Sequence, residues 1–382
     1  MPHQFSRLDR VNEKKLPSFG RPGRPRRINF SDLFLWDPAI ELELSGVSIS
    51  EIMGLMNPEM LALYQDIGRK RPISIERAKA VLPSALESVS YPLADEYRKA
   101  LNGEESHVTG LGSWRSYIYS RSIGPDGSWP PKVSCLGQHF IEIEQALKEP
   151  TLAWQQDHMS KCADLIASSP VLAPYLWPEV VVALRNARTV GDKTYARCMV
   201  LLELFLSYLA YSDAKLQTDQ YASHSMFEAL FPDFSTETIK PPNASLFDWL
   251  EAYTGTKGKL ATCIQQISKC AADTDIDSVR RQLRRWRRGT GFPSLDVLDA
   301  LFRNLYGDKA METGNSRNKD WVLSWGMVVA TKRINFLLPI VVPMNKYRGP
   351  FFPFGCETVQ EWRESRYRHW YQHWLPLIAG QS

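Results

Sequence analysis

The sequence has no CxxC pair, no Walker loop, no GxGxxG after a strand-like run and no GxSxG elbow. A zinc ribbon, a nucleotide-binding P-loop, a Rossmann dinucleotide site and an α/β-hydrolase nucleophile are therefore not signalled. It also lacks an apolar run near the roughly 18 residues that a membrane helix needs. The best stretch, Ile334 to Val342, is short and broken by Pro339. The N-terminus is basic and polar, without the apolar core of a signal peptide. Six cysteines, at 135, 162, 198, 263, 270 and 356, stand far apart and form no disulfide framework. They are expected to be reduced thiols in a cytoplasmic protein. No repeat of fixed period is present.

What the chain does have is bulk and aromatic content. Its 382 residues are 44% hydrophobic and include 12 Trp, 15 Tyr and 16 Phe. That supports packed cores rather than disorder, and the length suggests two domains plus tails.

The formal net charge is only +4, but its distribution is uneven. Residues 1–30 carry a net +6, from Arg7, Arg10, Lys14, Lys15, Arg21, Arg24, Arg26 and Arg27 against Asp9 and Glu13. A second knot follows far downstream: Arg280, Arg281, Arg284, Arg285, Arg287 and Arg288. Two concentrated cationic sites on a near-neutral body suggest a polyanion partner, most simply nucleic acid.

Prolines and glycines over residues 16–27 read as an extended linker. Ser48 and Glu51 form a capping-box pattern, and Asn57-Pro58 ends one short helix and starts another, to about Asp66. Helical patterns cover about 74–101, 136–148, 152–167 and 193–212. Trp114 to Arg121 is the best strand candidate, one arm of a small hairpin. Leu201 to Leu209 is apolar nearly all round and predicts a buried central helix. Prolines at 232, 241 and 242 suggest a domain boundary within 231–244. The fold class expected is mainly α: a basic tail over 1–30, a helical domain over 31–235 and a second domain over 245–382.

Residues 273–307 carry the most information. Asp275 or Asp277 can cap a helix on which Val279, Leu283 and Trp286 fall at i, i+4 and i+7. Burying that stripe turns the arginines outward. Gly289 and Gly291 stop the helix, and Ser294 caps a second one. Leu295, Leu298, Leu301, Phe302 and Leu305 of that second helix are expected to face the first.

The spacing Leu283-x-Arg285-Trp286-x-x-Gly289-x-x-x-Pro293-Ser294-Leu295-x-x-Leu298-x-x-Leu301 resembles the second half of the Cro/cI-type (Xre) helix-turn-helix domain. The resemblance covers about 25 residues of the chain. Where the family usually has an acidic residue after Trp, this chain has Arg287, and Cys270, Ala271 and Ala272 are a candidate for the preceding helix. The resemblance implies double-stranded DNA binding and transcription regulation. It would send Arg280, Arg281 and Arg284 into the major groove and leave Arg287 and Arg288 to phosphates. In the tail, Gly23-Arg24-Pro25-Arg26-Arg27 resembles the centre of an AT-hook, and Gly20-Arg21-Pro22 nearly repeats it. Extended arginines of that kind fit a narrow A·T minor groove.

Other constellations are weaker. Trp362, Tyr367, Trp370, Tyr371 and Trp374 interleave with Arg363, Arg366 and Arg368. That pattern could stack bases, but Val359, Trp362, Trp370 and Trp374 share a face and predict packing. His369 and His373 stand at i and i+4 without a carboxylate, and no metal or cofactor is expected. Asp157-His158, Glu142 with Glu144, and Cys135 near His139 lack a third partner. The reading is a non-catalytic DNA-binding protein whose 31–235 domain could meet a protein partner. The alternatives are an RNA- or ribonucleoprotein-binding subunit and a protein-binding adaptor in a defence or mobile-element assembly.

Overall fold

The computed structural model describes residues 27–28, 34–36, 41, 44, 58–59, 62–63, 66, 73–87, 91–102, 104, 113–122, 133–233, 239–267, 275–307, 316–344, 356 and 358–380. It is mainly helical, as the periodicity predicts. The capping box at Ser48, the linker up to Arg26 and the Cys270–Ala272 helix candidate lie outside the described residues. Of the helix expected after Asn57, Pro58, Glu59, Ala62, Leu63 and Asp66 are helical, and Leu63 is fully buried. The chain divides into two compact units, before and after the step from Leu204 to Phe205. That step lies inside a helix, not at the proline-rich stretch 231–244.

In the first unit, a two-residue strand β1 (Arg27–Ile28) pairs antiparallel with β2 (Ile73–Ser74). The pattern over 74–101 resolves into α1 (Ile75–Glu87) and α2 (Tyr91–Asn102), which pack on each other. The strand expected at Trp114 to Arg121 is instead the helix α3 (Ser113–Ser122). The reason is tertiary. α3 packs on α4 (Cys135–Ala146), and both carboxylate oxygens of the buried Glu144 accept from the first amides of α3. Trp114 N donates at 2.8 Å and Arg115 N at 3.0 Å. These are donors that a helix start leaves orphaned, and a carboxylate there also complements the positive end of the helix dipole. Trp114 and Ile118, four apart, are buried. β-propensity at Tyr117, Ile118 and Tyr119 yields to that burial.

Trp114 also donates its indole N–H to Trp36 O at 2.8 Å and stacks on Phe140. After α4 come α5 (Lys148–Gln155), α6 (Met159–Ser168) and α7 (Pro178–Arg185). The expected 152–167 helix is broken between α5 and α6, where Asp157 takes a positive φ of 63°. Asp157 pairs with Lys193, His139 hydrogen-bonds Tyr175, and Glu142 accepts from Gln138. The isolated pairs noted in the sequence therefore hold separate packing contacts.

The helix α8 (Val190–Thr218) carries the division between the units. Its Leu201–Leu209 stretch is buried but for Tyr208, as its all-round apolar pattern requires. Within the second unit, α8 is followed by α9 (Pro242–Thr254), α10 (Leu260–Ile267), α11 (Ile276–Arg287), α12 (Leu295–Tyr306), α13 (Ser316–Met344) and α14 (Val359–Ala379). Pro241 and Pro242 start α9, since proline suits a first helical turn. Core residues Leu323, Met327, Val328, Ala330, Ile334 and Leu337 line α13.

Asp213 is the polar centre of this unit. Fully buried, it accepts from Ser225 Oγ at 2.6 Å, Met226 N at 2.9 Å, Phe227 N at 3.2 Å and Tyr367 Oη at 2.8 Å. Burial pushes its carboxyl above the ordinary value, and these four donors hold it back. Trp362, Trp370 and Trp374 of α14 are buried, so their shared face is a packing face. Trp374 reaches Ser207 Oγ at 3.0 Å, which satisfies its indole N–H.

Candidate nucleic-acid interface

The arginine knot lies on α11. Asp275 is its N-cap, and its side chain accepts from Asp277 N at 3.1 Å. Val279, Leu283 and Trp286 are buried at the predicted spacing. Arg280, Arg281, Arg284, Arg285 and Arg288 are all exposed. At 3.6 residues per turn, Arg281, Arg284 and Arg288 (i, i+3, i+7) project from the side opposite that stripe, and Arg280 sits nearer its edge. Arg280 Nη1 donates to Asp277 Oδ1 at 3.0 Å.

Arg287 stands apart from the others. It pairs with Asp248 and, at 3.1 Å, with Glu251, both on α9, and its guanidinium lies 5.8 Å from the Phe247 ring centroid. Its side chain keeps only 25% exposure. An arginine engaged this way braces α11 against α9. Burial pushes the Asp248 carboxyl up, but hydrogen bonds from Lys240 and Arg287 outweigh that and hold it below its ordinary value.

The C-terminal end of α11 is fixed by two devices. Gly289, at φ 72°, occupies the left-handed position that glycine takes without strain. Gly289 N then donates to Trp286 O at 2.9 Å and Thr290 N to Arg285 O at 3.1 Å, the paired bonds of a Schellman ending. The second device is Asn243, buried at the start of α9. Its Nδ2 donates to Trp286 O at 3.0 Å and to Gly291 O at 3.1 Å, while its Oδ1 accepts from Asn335 of α13. Trp286 stacks on Phe247 with centroids 6.2 Å apart and planes 17° from parallel.

The two-helix pair expected from the sequence has a different partner. α11 and α12 each pack mainly on α10, and α11 also on α9. On α12, Leu298, Leu301, Phe302 and Tyr306 are buried, while Leu295 and Leu305 are half-buried. Lys257 and Lys259 are exposed in the turn before α10, where Gly255 and Gly258 have φ of 67° and 73°.

Arg21, Arg24 and Arg26 lie outside the described residues, and of Arg27 only the backbone pairing with Ser74 is described. His369 and His373 are exposed on α14. Among the described residues no three His, Cys, Asp or Glu side chains come together as a metal site. No described helix is long and apolar enough to cross a membrane. No family model, no curated protein and no solved structure matches the chain.

Proposed function

We propose that this protein binds double-stranded DNA and reads its sequence through α11. The observation that carries this reading is the exposure of five arginines along one helix whose opposite face is buried and whose far end is clamped. A solvated charge run needs no such clamp. A helix that must present guanidinium forks to base edges does, because bidentate Arg–guanine contacts depend on a fixed orientation. The resemblance to the Cro/cI-type helix-turn-helix supports the same reading, with α10 rather than Cys270–Ala272 as the preceding helix. Arg281 and Arg284, on the outward column, are the reading pair in this proposal. Arg288, with Lys257 and Lys259, meets phosphates. The Gly-Arg-Pro elements of the tail add a cationic arm for the minor groove or the backbone.

The test is duplex selection from a random library, followed by titration of the selected and scrambled sites across salt. Arg281→Ala and Arg284→Ala should each cost about 1–3 kcal/mol on the selected site and much less on the scrambled one. Arg288→Ala should weaken both alike and flatten the salt dependence. Uniform effects of all three variants would overturn base reading. Stronger competition by single strands than by duplex would transfer the same arginines to RNA or single-stranded binding. Absence of any salt-dependent binding would leave the adaptor reading in its place.

A further inference from the structure

α11 displays one carboxylate among its arginines. Asp277 lies in the first turn, exposed at 63%, on the same outward side as Arg281 and Arg284. The capping role is already filled by Asp275, whose side chain takes the Asp277 amide. A carboxylate on a surface that approaches phosphates lowers affinity for every sequence, since like charges repel on close approach. A helix built for indiscriminate polyanion binding gains nothing from it beyond a modest dipole term.

What Asp277 does contact is Arg280, at 3.0 Å through one guanidinium nitrogen. Arg280 is 59% exposed, so the rest of its fork stays open. A planar fork held at one end is oriented at the other, which is what bidentate guanine recognition asks of it. The second oxygen of Asp277 remains an acceptor, and base amino groups in the major groove are its natural donors.

We infer that Asp277 is a specificity-determining residue. It orients Arg280 toward a guanine and penalises binding wherever no base amino group is offered beside it. The preferred site would then hold a guanine next to a cytosine or adenine amino group at the N-terminal end of α11. This inference rests on the reading of α11 as a duplex-reading helix.

The experiment uses the full chain in duplex selection, with wild type, Asp277→Asn, Asp277→Ala, Arg280→Lys and Arg280→Ala, each checked for unchanged helicity and melting. Asp277→Ala should flatten preference by about tenfold at one or two adjacent base pairs. It should also bind scrambled duplex more tightly than wild type does. Arg280→Lys, which keeps the charge but loses the fork, should flatten the same positions. A purely structural Asp277 would weaken all duplexes together. If wild type shows preferences that Asp277→Ala leaves intact, this inference falls while the reading of α11 stands. If wild type shows no duplex preference at all, both fall.

Discussion

Single residues decide whether α11 can hold still. Trp286 was legible because an apolar residue at i+7 among arginines can only face inward. Asn243 was not, because its partners are backbone carbonyls 43 and 48 residues away, which no local pattern encodes. Arg287 was legible as a charge but not as a brace, since its acidic partner Asp248 lies 39 residues upstream. Asn243→Ala would remove the carboxamide that ties Trp286 O to Gly291 O, leaving Trp286 O only its local backbone donors and the Asn335 amide without its acceptor. The expected cost is on the order of 2–3 kcal/mol, seen in chemical denaturation. Trp286→Ala should cost about 3–5 kcal/mol in the same measurement, because it also opens a cavity against Phe247. If Asn243→Ala melts like wild type, the carboxamide is not what holds the end of the helix.

Among elements, the helices were legible where apolar spacing ran long, as over α8 and α11. α3 was misread because Tyr117, Ile118 and Tyr119 favour a strand locally. What makes it a helix is a carboxylate from Glu144, 30 residues on from Trp114. α14 carries a different signature. Burial, and then the charge of Arg366 and of His373, pushes the His369 imidazole below its ordinary value of 6.5, and burial does the same to His373. Both rings are therefore neutral in the folded state at pH values where an unfolded histidine already takes up a proton. Their stabilising effect is complete above about pH 6.5 and is lost as pH falls through the lower folded values. Melting temperature should decline from pH 7 to 5, and His369→Gln with His373→Gln should flatten that decline. An identical slope in the double variant would place the pH sensitivity elsewhere, and not at Asp213, whose raised carboxyl favours the folded state as pH falls.

For the whole molecule, composition and charge gave the broad outline: mainly helical, aromatic-cored, with cationic concentrations at two places. The division between compact units was hidden, because it falls within a continuous helical pattern where no proline or glycine punctuates the chain. The tail's charge belongs to this scale too. Removing residues 1–28 should leave melting of the second unit unchanged while weakening duplex binding and reducing its salt slope, by roughly 0.9 per lost phosphate contact. Loss greater on A·T-rich than on G·C-rich flanks would mark minor-groove entry. Unaltered binding would assign the tail to a different partner.

Two bonds from α14 to α8, one of them to Asp213, also set a schedule for synthesis. Tyr367 follows Asp213 by 154 residues, and Trp374 follows Ser207 by 167. At about 5–20 residues per second, the ribosome makes them some 8–30 s apart. Throughout that interval α8 in the second unit waits without Tyr367 and Trp374 to cover Asp213, Ser207 and Tyr211, a delay far longer than helix formation needs. A nascent chain in this state exposes hydrophobic surface for seconds, which is long enough for a chaperone to bind. Slower translation between residues 213 and 367 should therefore lower the yield of folded protein, whereas supplying α14 as a separate peptide should recover part of it.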